Sequence, residues 1–137
     1  MDEEIERRER MSIPDIFRTK GEPYFRRAES SLVQELSGKK ELVVSCGGGA
    51  FVDAKNIAAL KASGVVFCLT SRPETILNRT RLFAHRPLLN VDDPKPKIEE
   101  LLKKRAPFYA QAHHTIDCDA LTVAATVRQI RQILKDT

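Results

Sequence analysis

The sequence predicts an α/β domain built on a parallel sheet, and three observations carry that prediction. Two continuous apolar runs, residues 42–46 and 65–69, lack the alternation of a half-exposed strand and read as strands covered on both faces. Segments with apolar residues at helical spacing alternate with these runs. The first run ends in Gly47, Gly48 and Gly49, immediately before a helix signal at Asp53. Glycine takes positive φ without steric cost and lets a ligand lie against bare backbone, so a strand ending this way marks either a binding place or a flexible turn. The glycines alone leave both readings open.

In order along the chain, residues 3–10 are strong helix formers with Glu–Arg pairs at helical spacing, preceded by Asp2 at a possible cap. Ser12 then restarts a helix, with Pro14 in its first turn, and Gly21 ends it. From Glu22 to Leu36, Tyr24, Phe25, Ala28, Leu32, Val33 and Leu36 recur at helical spacing until Ser37 and Gly38 stop the run. After the glycines come a helix over 53–62, the strand 65–69 and a helix opened by Ser71, Arg72 and Pro73. Residues 81–96 lose periodicity and carry three prolines, which predicts a long loop of the kind that serves as a lid. A helix over 98–109, a short strand over 115–118 and an amphipathic helix over 122–134 complete the chain, the last with Val123, Val127, Ile130 and Leu134 on one side. Only three strands are expected, and the helix that opens the chain has no strand feeding it.

Composition narrows the function. At 137 residues and 42% apolar content, the chain is expected to form one domain with a sizeable core. No run approaches the roughly 18 apolar residues of a membrane span, and the charged opening does not resemble a signal peptide, so a cytoplasmic protein is expected. The formal charge of +4 is spread along the chain, and aromatic residues make up 6%. That argues against nucleic acid and for a small anionic ligand. Three cysteines fit no metal-ligand spacing, and Cys46 and Cys68 lie in the strand-like runs as expected buried thiols. His85, His113 and His114 lack an acid or cysteine to complete a metal site and are expected at the surface.

Together, Asp2-Glu3-Glu4-Ile5-Glu6, Ser12-Ile13-Pro14-Asp15-Ile16-Phe17, Gly21-Glu22, Phe25-Arg26-Arg27-Ala28-Glu29, Gly47-Gly48-Gly49-Ala50, Arg86-Pro87-Leu88-Leu89 and Arg105-Ala106-Pro107-Phe108-Tyr109 resemble shikimate kinase in order and approximate spacing. The resemblance covers essentially the whole chain. It implies a three-layer P-loop kinase fold of the nucleoside monophosphate kinase type, using ATP and Mg2+ to phosphorylate the 3-hydroxyl of shikimate in aromatic amino-acid biosynthesis. The family opens with a strand, a Gly-x-x-x-x-Gly-Lys-Ser/Thr loop, a helix and a second strand, and none of these precedes Asp2 in this sequence. Residues 1–137 are therefore expected to form a single incomplete domain, Met1 being an internal methionine or the gene being shortened.

The resemblance also implies roles. Asp2 matches the aspartate that contacts shikimate, and a group beside the attacking hydroxyl orients it and accepts its proton. Arg26 and Arg105 match two carboxylate-binding arginines, whose planar forks suit that ligand; as residues alone, they read equally as an ion pair with Glu29 and a helix end. Glu29 is expected to hold an arginine in place, and Gly47, Gly48 and Gly49 to floor the acceptor pocket. Arg86 matches the lid arginine that closes over the reacting phosphates, and Arg79 a residue near the nucleotide. Ser45 matches a position that reaches the magnesium shell through water, a strand serine being the alternative. Residues 119–122 fall where the family's adenine loop lies. The competing expectation is a non-catalytic remnant that binds a small hydroxy-carboxylate, or is completed by a partner chain pairing with the incomplete sheet. Another small-metabolite kinase, such as a gluconate kinase, is disfavoured by the triple glycine together with Arg26 and Arg105.

Overall fold

The computed structural model describes residues 1–81 and 87–137. Its first layer is helical. Helix α1 (Asp2–Glu9), α2 (Ile13–Lys20) and α3 (Glu22–Ser37) pack around Ile5, Ile13, Ile16, Phe25 and Leu32. The caps are local and follow the sequence: the Ser12 hydroxyl accepts from the Asp15 amide at 3.3 Å, and Pro14 occupies the first turn, where its missing N–H costs nothing. Gly21 closes α2 at φ 85°, a left-handed conformation that glycine adopts freely. Side chains fasten α1 to its neighbours, among them Arg8, which bonds Glu35 of α3 at 2.7 and 2.9 Å. Glu6 accepts from the Ile13 amide at 3.0 Å, and the Tyr24 hydroxyl donates to Glu9 at 2.9 Å.

The second layer is a parallel pair, β1 (Phe67–Thr70) and β2 (His114–Asp117), with Phe67 opposite His114 and Leu69 opposite Ile116. The parallel sheet agrees with the expectation, but two details need correction. Residues 42–46 form no strand, because they find no ladder partner among the described residues; Val43 is fully exposed and Leu42 half exposed. Nor is β1 covered on both faces, since Leu69 remains 54% exposed. An apolar run becomes a buried strand only where neighbouring strands and helices close over it.

Helix α4 (Ala54–Ser63) starts at Asp53, whose carboxylate accepts from the Lys55 and Asn56 amides. Helix α5 (Pro73–Thr80) follows β1, and α7 (Val123–Asp136) is capped by Thr122. Helix α6 spans Pro94–Tyr109, so the aperiodic segment ends earlier than expected: prolines are tolerated in a first helical turn, and Asp93 occupies the cap position. Pro87–Leu89 forms a short 3₁₀ turn. The apolar side of α7 stays open, with Val123 83% exposed. Among the cysteines Cys118 is buried and Cys68 half-buried, whereas Cys46 is exposed, against expectation, because the run that contains it joins no sheet among the described residues. No helix among the described residues is long and apolar enough to cross a membrane.

Candidate active site

Three elements converge on the glycine turn. Met1 donates from its ammonium to the Ser45 carbonyl at 2.9 Å, which brings the start of α1 against the end of the 42–46 segment. Asp2, the first residue of α1, thereby lies beside Gly47. Arg26 and Glu29 project from α3, and Arg105 and Tyr109 from α6. The glycines open a 3₁₀ turn over Gly48–Val52, which packs against α3, α4 and α6. Asn56, buried on α4, donates to the Ala50 carbonyl at 3.1 Å and so ties that turn down.

Each glycine faces a different charged group. A Cβ at Gly47 would lie 3.4 Å from Asp2 Oδ1 and 3.7 Å from Glu29 Oε2. At Gly48 it would meet Arg105 Nη1 and the Tyr109 hydroxyl, both at 2.8 Å. At Gly49 it would overlap Arg26 Nη1 and come within 2.5 Å of its Cζ. Positive φ is not what these positions require: Gly47 has φ −65°, and among the described glycines only Gly21 is left-handed. Gly48 and Gly49 are needed because two guanidinium groups press on the backbone there, whereas a Cβ at Gly47 would make an ordinary contact with Asp2.

Electrostatics ties the cluster together. Arg26 Nη1 donates to Glu29 Oε1 at 2.9 Å, and its Nη2 reaches Glu22 at 3.4 Å. Glu29 is 2% exposed, and burial pushes its carboxyl above the usual range while Arg26 pulls the other way; Asp2 adds to the rise and Arg105 opposes it. The buried acid orients Arg26 without consuming all of its donors, because a guanidinium carries five. The result is a bare backbone floor with a carboxylate on one side and two guanidinium groups on the others. Such a set can hold a small hydroxy-acid by its carboxylate while Asp2 faces a hydroxyl.

The remaining expected residues lie apart from this cluster or outside the described chain. Arg79 donates to the Ser71 hydroxyl at 3.2 Å and to the Cys118 carbonyl at 2.9 Å, bridging the segments that follow β1 and β2. Beside it the Arg72 amide and Nε donate to Asp119, and the amide bond first holds that carboxyl below the usual range. Ser45 is exposed, and its carbonyl accepts from Met1. Arg86 and His85 lie outside the described residues. His113 accepts from the Val66 amide through Nδ1, and His114 stacks on Phe67. Tyr109 and Asn56 were not singled out as site residues. Tyr109 stands in the Arg105 to Tyr109 motif, one helical turn after the arginine, and that spacing was the available signal.

Comparisons with known proteins bear on the whole chain. The family model described as "Shikimate kinase" matches residues 1–135. A shikimate kinase of Thermus thermophilus is 47% identical over 131 residues, covering 95% of this chain and 71% of that protein. One from Thermoanaerobacter pseudethanolicus is 41% identical, over 94% of this chain and 75% of its own length. Among solved structures, shikimate kinase from Acinetobacter baumannii in complex with shikimate superposes with a TM-score of 0.91 at 40% identity, covering 98% of this chain and 76% of that one.

Proposed function

The chain belongs to the shikimate kinase family, and from that premise we propose that it forms the acceptor-binding part of an ATP-dependent kinase acting on the 3-hydroxyl of shikimate. One observation supports this most directly: Asp2, Arg26 and Arg105 meet around Gly47, Gly48 and Gly49. In this reading Arg26 and Arg105 fix the substrate carboxylate, and the glycines let the ring lie on the backbone. Asp2 then orients the attacking hydroxyl and takes its proton. The relative from Acinetobacter baumannii, solved with shikimate, adds weight to the choice of acceptor.

ATP, with Mg2+, supplies the phosphoryl group in such a reaction. Arg79 is suited to the nucleotide side, because it lies beyond the carboxyl ends of two parallel strands, where ligands of open α/β sheets bind. We assign Arg86 to a lid in the segment between α5 and α6, and Ser45 to water-mediated contact with the metal. These 137 residues contain no Gly-x-x-x-x-Gly-Lys loop, and among the described residues no three His, Cys, Asp or Glu side chains are arranged to hold a metal ion. The described residues thus assemble the acceptor end of the site, with Arg79 turned toward the nucleotide end. The 137-residue chain by itself is expected to bind shikimate and to give no ATP-dependent turnover. Calorimetric titration with shikimate and with Mg-ATP, beside a coupled assay for ADP release, tests both halves. Absent shikimate binding at millimolar concentration overturns the acceptor reading, and turnover by this chain alone overturns the second half.

A second reading rests on the exposed Leu42, Val43, Leu69 and Val123. Here the unit is a non-catalytic binder of a hydroxy-carboxylate, or pairs through its open sheet with another polypeptide.

A further inference from the structure

We propose that Tyr109 is the positioning residue that holds Arg105 in its carboxylate-binding pose, acting through its hydroxyl rather than its ring. The proposal rests on the assignment of Arg105 to the substrate carboxylate. The Tyr109 hydroxyl donates to the Gly48 carbonyl at 2.7 Å and accepts from Arg105 Nη1 at 3.4 Å. Its one proton and one of its lone pairs are thus in use, and the three groups form a chain from Arg105 through Tyr109 to the glycine turn. Arg105 and Tyr109 are four residues apart on α6, so they share a helix face and move together.

The geometry gives the hydroxyl two tasks. An arginine on a flexible stem loses rotamer freedom when it meets a ligand, and a tether that already holds one Nη removes part of that loss. The same hydroxyl engages the Gly48 carbonyl, an acceptor that would otherwise repel an incoming carboxylate at the pocket floor. The bond from a cation into the phenol also polarises it toward stronger donation to Gly48. Gly48 permits the arrangement, since a Cβ there would lie 2.8 Å from both Arg105 Nη1 and the Tyr109 oxygen.

Tyr109→Phe keeps the ring and removes both bonds. In the 137-residue chain this variant is expected to weaken shikimate binding by about tenfold, the scale of one net hydrogen bond to a charged group. Affinity for the neutral methyl ester of shikimate should stay as it is. In an Arg105→Ala background the same change should cost clearly less than it does in the unmodified chain. A purely structural role would weaken both ligands alike and cost as much without Arg105 as with it, and either result overturns the proposal, as does unaltered shikimate affinity in Tyr109→Phe. If the unmodified chain binds no shikimate, the acceptor reading fails by itself, and the tether is judged by the Arg105 Nη–H signals in low-temperature NMR spectra of the free chain. A distinct signal that collapses to the averaged arginine position in Tyr109→Phe upholds the tether; a signal unchanged by the variant overturns it.

Discussion

Gly49→Ala isolates the close approach on which the site is built. The new Cβ would overlap Arg26 Nη1 and stand 2.5 Å from Cζ. Ordinary carbon contacts begin near 3.5 Å, so the guanidinium has to retreat by roughly 1 Å. The end of a flexible side chain moves at little steric cost, and the expense lies elsewhere. Arg26 Nη1 is 2.9 Å from Glu29 Oε1, and a retreat of that size away from the partner breaks the bond. Glu29 is 2% exposed, and stripping a charge-assisted partner from a buried carboxylate costs about 1–3 kcal/mol of stability. The misplaced fork also loses the acceptor carboxylate, for a further loss of about 10- to 100-fold in shikimate affinity. Calorimetry and urea unfolding measure the two effects. Gly47→Ala is the internal control, because its Cβ meets Asp2 Oδ1 at an ordinary 3.4 Å, and Gly38→Ala tests the remote case, with 3.5 Å to the Glu35 carbonyl. The expected order of damage is Gly49 above Gly47, with Gly38 near neutral. Full affinity in Gly49→Ala, or greater loss in Gly47→Ala, would refute the close-approach argument.

Glu29→Gln should reveal the burial of the acid through pH. The folded carboxyl titrates above its ordinary 4.5, so its contribution is complete below about 4.5 and is lost as pH rises through the folded value. The unmodified chain should therefore lose stability relative to the Gln variant as pH climbs from 4.5 toward neutrality, in urea titrations at each pH; a gap moving the other way contradicts the assignment. Asn56→Ala leaves the Ala50 carbonyl without its donor at the foot of the glycine turn, and should cost about 1–2 kcal/mol by the same measurement. An unchanged midpoint would show that the turn stands without that bond. Val43→Lys is expected to reduce self-association in sedimentation velocity without lowering the unfolding midpoint, because Val43 is fully exposed on an unpaired extended segment. Equal association by the two proteins would remove the segment as the sticky edge.

What could be read from the sequence follows from how local each determinant is. Ser12 is legible as a cap, and Asp53 and Thr122 as helix starts, because their partners lie two or three residues away. Arg26 was legible with Glu29 for the same reason. The run at 42–46 is not legible as strand or loop, because strand formation depends on distant partners, and its apolar character says only that it suits one. Pro94 and Pro96 read as loop residues, although at the start of a helix they cost it nothing.

The triple glycine shows where local reading stops. Sequence marks the turn as unusual, and the natural explanation, conformational freedom, is the wrong one: Gly47 has an ordinary negative φ, and its neighbours are small because Arg26 and Arg105 lean on them. Tyr109 was overlooked on the same ground. Its partner Gly48 is 61 residues away, and a tyrosine in an amphipathic helix gives no sign whether its hydroxyl serves solvent or a backbone carbonyl. A bare backbone can be read from one stretch of chain, but the reason it is bare lies in the side chains that α1, α3 and α6 bring to it. A substitution at Gly48 or Gly49 is therefore a perturbation of the facing arginine, and its effect should track the charge of the ligand more than the flexibility of the turn.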